Sequence, residues 1–205
     1  MGKFIFHISI LISILFNAQL NFAQEFTVVE HPEGTEIIGG IEVTVTAVGC
    51  TSYYETTLCE GHLPYFIGYD DQGNSTTGSF VFNFEPAISM AKFTIGRISF
   101  SSNNHEIIEV WVNGEHYKIQ KEGEPNSCHG SAFINKDGNL DVKKDVDLGG
   151  FANIEIEGPI KTLEIKNVVL SGTPNGSLFS LYISADAISA AEVLKLRKKK
   201  EAGLE

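Results

Sequence analysis

Three cysteines, Cys50, Cys59 and Cys128, are the only thiols in this 205-residue chain. In an oxidising compartment the default fate of such thiols is a disulfide. Cys50 and Cys59 enclose only Thr51 to Leu58, and that nearness favours their pairing over either bridge to Cys128. In the chain-entropy model a loop of this size contributes roughly 2–3 kcal/mol. Cys128 is then the leftover thiol, next to His129. Neighbouring residues of an extended chain point to opposite sides, so the two are poorly placed as nucleophile and base.

The other chemistry-bearing side chains are oxygens and rings. Asn135, Asp137, Asn139 and Asp141 carry oxygen at every second position, and Asp145 and Asp147 follow. Calcium takes six to eight oxygen ligands, and alternating acids in a turn supply several. This makes Asp137, Asn139 and Asp141 the candidate calcium ligands. The same residue types also build solvated β-turns for backbone reasons, and the closing glutamate of an EF-hand loop is missing. The histidines after residue 30, which are His31, His62, His105, His116 and His129, show no zinc-ligand spacing and read as surface and loop residues. No Gly-x-Ser-x-Gly elbow, phosphate-binding glycine loop or zinc-protease helix motif is present. Carboxylates are numerous, but a sequence does not pair them across strands, so a glycosidase acid pair has no support in the sequence.

Aromatic faces stack on the apolar faces of sugars, and they also fill cores. Tyr53, Tyr54 and Tyr65, with His62, fall in the stretch from Cys50 to Tyr69, which lacks strict apolar alternation. A loop stapled by Cys50 and Cys59 would be ordered before binding and would lose less entropy on it. These four residues are therefore the candidate ligand contacts. Trp111 alternates with Val110 and Val112, which turns it from the core, although packing is the commoner role for such a ring.

The elements that must position these groups are strands. Val43, Val45 and Ala47 alternate with Glu42, Thr44 and Thr46; Phe80, Phe82 and Phe84 with Val81 and Asn83; Ile108, Val110 and Val112 with Glu109 and Trp111. Phe93 and Ile95, Ile154 and Ile156, and Leu163 and Ile165 continue the pattern. Period-two alternation of β-branched and aromatic residues sends one set inward and the other to water. Asn113-Gly114 joins two such runs, and both residues accept positive φ, which predicts a type I′ hairpin. No helical segments alternate with the strands, so the fold expected is all-β: an antiparallel β-sandwich, jelly-roll-like. Helical composition appears only in the tail, 185–205, which is rich in Ala, Leu, Glu and Lys and contains Lys198-Lys199-Lys200. That tail reads either as a basic amphipathic anchor or as a frayed, solvated end.

Residues 1–23 have the order of an export signal: Lys3, an apolar run from Phe4 to Phe16, then Asn21-Phe22-Ala23. The run is shorter than the ~20 residues of a membrane span, and no later segment is apolar enough to cross a bilayer. The expected organisation is a signal peptide at 1–23, one domain at 24–184 and the tail at 185–205. The domain carries 22 acidic and nine basic side chains. Such a surface argues against nucleic acid, which needs positive charge, and suits cations, neutral sugars or a basic partner.

The segment Gly78-Ser-Phe-Val-Phe-Asn-Phe-Glu-Pro86 and its continuation to Ile95 resemble a pattern of bacterial secreted modules. There a Phe-rich strand ends at a proline and a second strand runs back with apolar alternation. Glu109 to Val112 and Ile156 to Leu163 resemble the later strands. On these segments, about half the chain, the sequence resembles the adhesin-like "choice-of-anchor" β-sandwich modules. The resemblance implies a non-enzymatic extracellular module that binds carbohydrate or another cell-surface component. The acidic turn of those modules is replaced here by Gly96-Arg97-Ile98-Ser99, so the resemblance does not carry over an ion site tied to it. Two other classes remain as expectations: a carbohydrate-active hydrolase with carboxylates assembled by the fold, and a structural or assembly subunit using a sheet edge.

Overall fold

The computed structural model describes residues 26–30, 33–53, 57, 58, 61–120, 132–145 and 149–184, without the side chains of 57, 58, 61 and 62. Residues 1–23, read from the sequence as an export signal, and Tyr54, Cys59, Cys128 and the 185–205 tail lie outside the described residues.

Two long strands organise everything else. They are β8 (Gly78–Ile98) and β13 (Gly150–Gly172), and they run antiparallel. The first half of β8 lies between β3 (Ile41–Gly49) and the second half of β13. Its second half lies between β14 (Ser177–Ser184) and the first half of β13. Thus β8 changes one neighbour midway, near Pro86, and β13 gains another only past Pro159. Proline has no N–H for the ladder, and the β8–β13 register shifts on either side of Ile160.

The inward phase of both strands changes at the same place. Phe80, Phe82 and Phe84 are buried, then Ile88, then Ala91, Phe93 and Ile95. On β13 the buried set passes from Ile154 and Ile156 through Ile160 to Leu163 and Ile165. A one-residue slip on a straight strand would expose half of these side chains. The bend between the halves restores them to one continuous core.

The shorter strands complete an antiparallel sheet of twelve strands. Beside β3 lies β2 (Gly34–Ile38). The second half of β13 carries β9 (Asn104–Val112), which pairs with β10 (Glu115–His116) and β12 (Leu140–Asp141); β11 (Phe133–Ile134) borders β12. Next to β14 lie β1 (Phe26–Val28) and β7 (Tyr65–Ile67), and β7 also pairs with β4 (Thr51–Tyr53). A separate pair joins β5 (Thr57–Leu58) and β6 (Gly61–His62). The structure is all-β, with no helix among the described residues.

Two local features fix how the strands meet. Asn113 and Gly114 have φ of 54° and 81°, the double positive pair of a I′ hairpin between β9 and β10. The Asn113 side chain does more: its Oδ1 accepts the Lys161 and Thr162 N–H groups at 2.7 and 3.1 Å, and its Nδ2 donates to the Pro159 carbonyl at 2.8 Å. The hairpin is thereby tied to the bend of β13. A second apolar cluster, Leu63, Phe66, Phe151 and Leu178, sits apart from the main core. Phe151 lies so close over Gly96 that a Cβ there would be 2.1 Å from the ring.

Candidate functional site

The stretch from Cys50 to Tyr69 was the expected ligand loop, and its tyrosines belong to the framework. Tyr53 and Tyr65 are register partners on β4 and β7, with rings edge-on at 5.6 Å. Tyr65 is fully buried, stacks on Phe179 at 4.9 Å and meets Phe80 edge-on at 5.0 Å. Its hydroxyl donates to the Val29 carbonyl at 2.9 Å, and burial pushes its pKa far up. Tyr53 is half-buried and donates to the Glu30 carbonyl. Both hydroxyls hold the segment that contains β1, so Tyr65 is corrected from ligand contact to core residue. His62 lies on β6 opposite Thr57.

Cys50 is a free, buried thiol here, not half of the expected bridge to Cys59. Its backbone closes the β4–β7 end: the Gly68 N–H donates to the Cys50 carbonyl at 2.8 Å. Its Sγ turns to Asp70 Oδ2 at 3.9 Å. Asp70 in turn accepts from Asn74 Nδ2 and the backbone N–H groups of Asn74 and Gln72, at 2.8, 2.8 and 3.0 Å. These donors, the Asn74 amide first, hold its carboxyl below the usual range.

The candidate calcium turn is closed by its own backbone. Asn135 Oδ1 accepts from the N–H groups of Asp137 and Asn139 at 3.0 and 3.1 Å. Asn139 Oδ1 accepts from His116 Nε2 at 2.7 Å, and Asp141 Oδ1 meets His105 Nε2 at 2.9 Å. Asn139 and Asp141 are thus committed to different histidines, Asp137 is exposed and bonds through its backbone N–H, and among the described residues no three His, Cys, Asp or Glu side chains gather as a metal site. Millimolar calcium should leave the melting temperature unchanged in a thermal-unfolding titration, because an ion that binds only the native state would raise it.

Sequence reasoning passed over a buried polar cluster at one end of the core. Glu106 and Asn167 are fully buried. Glu106 accepts from the Ser99 N–H and hydroxyl at 3.1 and 2.6 Å and from Asn167 Nδ2 at 2.7 Å. Asn104 Nδ2 extends the chain by donating to Ser99 Oγ at 2.9 Å. Desolvation pushes the Glu106 carboxyl up, against the lowering effect of these donors and of the Gly176 N–H. The signal for it was legible: Glu106 occupies the inward phase of Ile108 and Val110.

The water-facing side of the sheet holds the remaining candidates. Trp111 is half-buried and faces away from the core, opposite Glu164 of β13. Its Nε1–H donates to Glu109 Oε2 at 3.2 Å, and its ring meets that of His116 at 5.4 Å. One register step along, Thr162, Asn83 and Thr44 form a row across β13, β8 and β3. That row borders a polar depression of about 240 Å³ that Glu42, Glu85 and Lys161 also line. Glu42 and Glu85 are direct register partners, with carboxylates on neighbouring strands.

These features define an antiparallel all-β protein whose outer face combines one fixed indole with a row of hydroxyl, amide and carboxylate groups. No family model matches the chain, and no curated protein matches it either. No described helix is long and apolar enough to cross a membrane.

Proposed function

We propose that this chain is an exported, non-enzymatic binding module, a jelly-roll-like β-sandwich that recognises carbohydrate on an extracellular surface. The observation that carries the reading is the placement of Trp111. The only tryptophan of the chain lies on the water-facing side of the sheet, where Glu109 and His116 hold its ring. A fixed aromatic plane loses little entropy when a sugar ring stacks on it. The export-type N-terminus and the acidic domain agree with an extracellular role and a neutral ligand.

The lone indole makes the test direct. Titration with cello-, manno-, xylo- and chito-oligosaccharides should change Trp111 fluorescence with at least one of them. The Trp111→Ala variant should stay folded and lose about tenfold or more in affinity, a loss of about 1.4 kcal/mol. A variant that unfolds cooperatively and still binds as tightly would place the ligand elsewhere.

A carbohydrate-active hydrolase is the second reading, and the facing of Glu42 and Glu85 favours it. Release of reducing ends from the bound oligosaccharide, abolished by Glu85→Gln, would move the assignment from binding to hydrolysis.

A further inference from the structure

We infer that the depression between β3, β8 and β13 is a second sugar subsite, which makes the ligand an oligosaccharide of at least two rings without acidic groups. This rests on the carbohydrate reading of Trp111. Three charged side chains, Glu42, Glu85 and Lys161, share the depression, yet none of them forms an ion pair among the described residues. Like charges directly opposite on paired strands are destabilising, so Glu42 beside Glu85 is a cost of the unliganded fold. A hydroxyl-rich group relieves that cost, because each carboxylate oxygen accepts hydrogen bonds and a sugar supplies several donors. An anionic sugar would add to the repulsion.

The amide of Asn83 supports the same occupant. Asn83 lines the depression, and its Oδ1 accepts the Thr162 hydroxyl at 3.3 Å, so its Nδ2 hydrogens are the donors it can offer a ligand oxygen. Carboxylates, an amide N–H₂ and an ammonium in one hollow match a polyol that both donates and accepts.

The position relative to Trp111 sets the length of the ligand. Trp111 is the register partner of Glu164, and Thr162 precedes Glu164 by two residues on the same face of β13. Two residues along the strand with one or two strand spacings across it put Thr162 roughly 8 Å and Asn83 roughly 12 Å from Trp111, a reach of one to two sugar rings. The Asn113 side chain holds the backbone of Lys161 and Thr162 against the hairpin that carries Trp111, so the two places keep a fixed separation. A ring stacked on the indole therefore delivers the next one or two rings of the same ligand to the depression.

The experiment compares wild type, Asn83→Ala, Glu85→Gln and Trp111→Ala against cello-, manno-, xylo-, chito- and galacturono-oligosaccharides of one to six rings. Affinity is read by calorimetry and folding by thermal unfolding. Asn83 and Glu85 are exposed, so both variants should fold. The expected result is a neutral series in which two or three rings bind at least tenfold more tightly than one. Asn83→Ala and Glu85→Gln should erase that gain and leave single-ring binding unchanged. Affinity independent of ring number, preference for the galacturonate series, or an unchanged gain in both variants would overturn the subsite. If Trp111→Ala abolishes binding and the depression variants do not, the Trp111 reading survives and this one fails. If no series binds, both fail together.

Discussion

Replacing Tyr65 with alanine should lower the stability of the domain by about 3–5 kcal/mol, the range for deleting a large buried aromatic. For a domain of this size that corresponds to a fall in melting temperature of about 6–20 °C. Several losses add up. Tyr65 contacts Tyr53, Phe80, Phe82 and Phe179 through ring centroids 4.9 to 5.6 Å apart, so its removal opens a void at the aromatic centre of the core. Its hydroxyl also satisfies the Val29 carbonyl, whose N–H in turn donates to Leu181. The conservative variant separates the two contributions. Tyr65→Phe keeps the ring and should cost only about 1–2 kcal/mol, the scale of one buried hydrogen bond. In that variant, amide exchange should quicken at Val29 and in β1 before it quickens in β8. A Tyr65→Ala protein with unchanged melting temperature would refute the placement of this ring in the core.

The second large effect concerns Glu106, the buried carboxylate that binds three separate parts of the chain. Glu106→Ala should cost about 3–5 kcal/mol, because it strands the Ser99 and Gly176 N–H groups and the Asn167 amide as buried donors without acceptors, each worth about 1–3 kcal/mol. Glu106→Gln should be milder. The Asn167 Oδ1 has no partner in the native packing, so turning that amide over offers an acceptor to the new Nε2 hydrogens. The pH dependence has a definite sign. Burial raises the Glu106 pKa, so the folded protein holds this proton more tightly than the unfolded chain. The resulting stability is complete below the ordinary glutamate pKa of about 4.3 and is lost as pH rises through the higher folded value. A glutamine amide does not titrate, so the melting temperature of Glu106→Gln relative to wild type should climb with pH across that interval. A flat difference would mean that the carboxyl is not shifted upward.

Much of the architecture was legible because a strand repeats every two residues. The alternations at 43–47, 80–84, 93–95, 108–112, 154–156 and 163–165 are all strand segments, and the inward residues named from them are in the core or packed against it. The change of inward phase between Phe84 and Phe93 was present in the same pattern. Its cause, the register shift where β8 passes from β3 to β14, depends on which strands pair, and local sequence does not specify that. Trp111 was correctly turned from the core for the same periodic reason.

The loop from Cys50 to Tyr69 shows where local reasoning stops. The absence of alternation there was read as freedom of the tyrosines, but β4 and β7 are only three residues long, too short to display a period. Tyr65 is buried because β7 pairs with β14 and brings the ring onto Phe179, far away in the chain. The acidic turn at 135–141 supplied oxygens in sequence, yet His105 and His116 approach from β9 and β10 and take two of them. What the chain determined by itself is strand composition, the I′ hairpin, the water-facing side of Trp111 and an acidic surface, since each follows from residue type and nearest neighbours. Only the tertiary structure decided that Glu42 faces Glu85 beside Lys161, and that Glu106 meets Asn167. These encounters are set by the pairing and packing of strands far apart in the sequence.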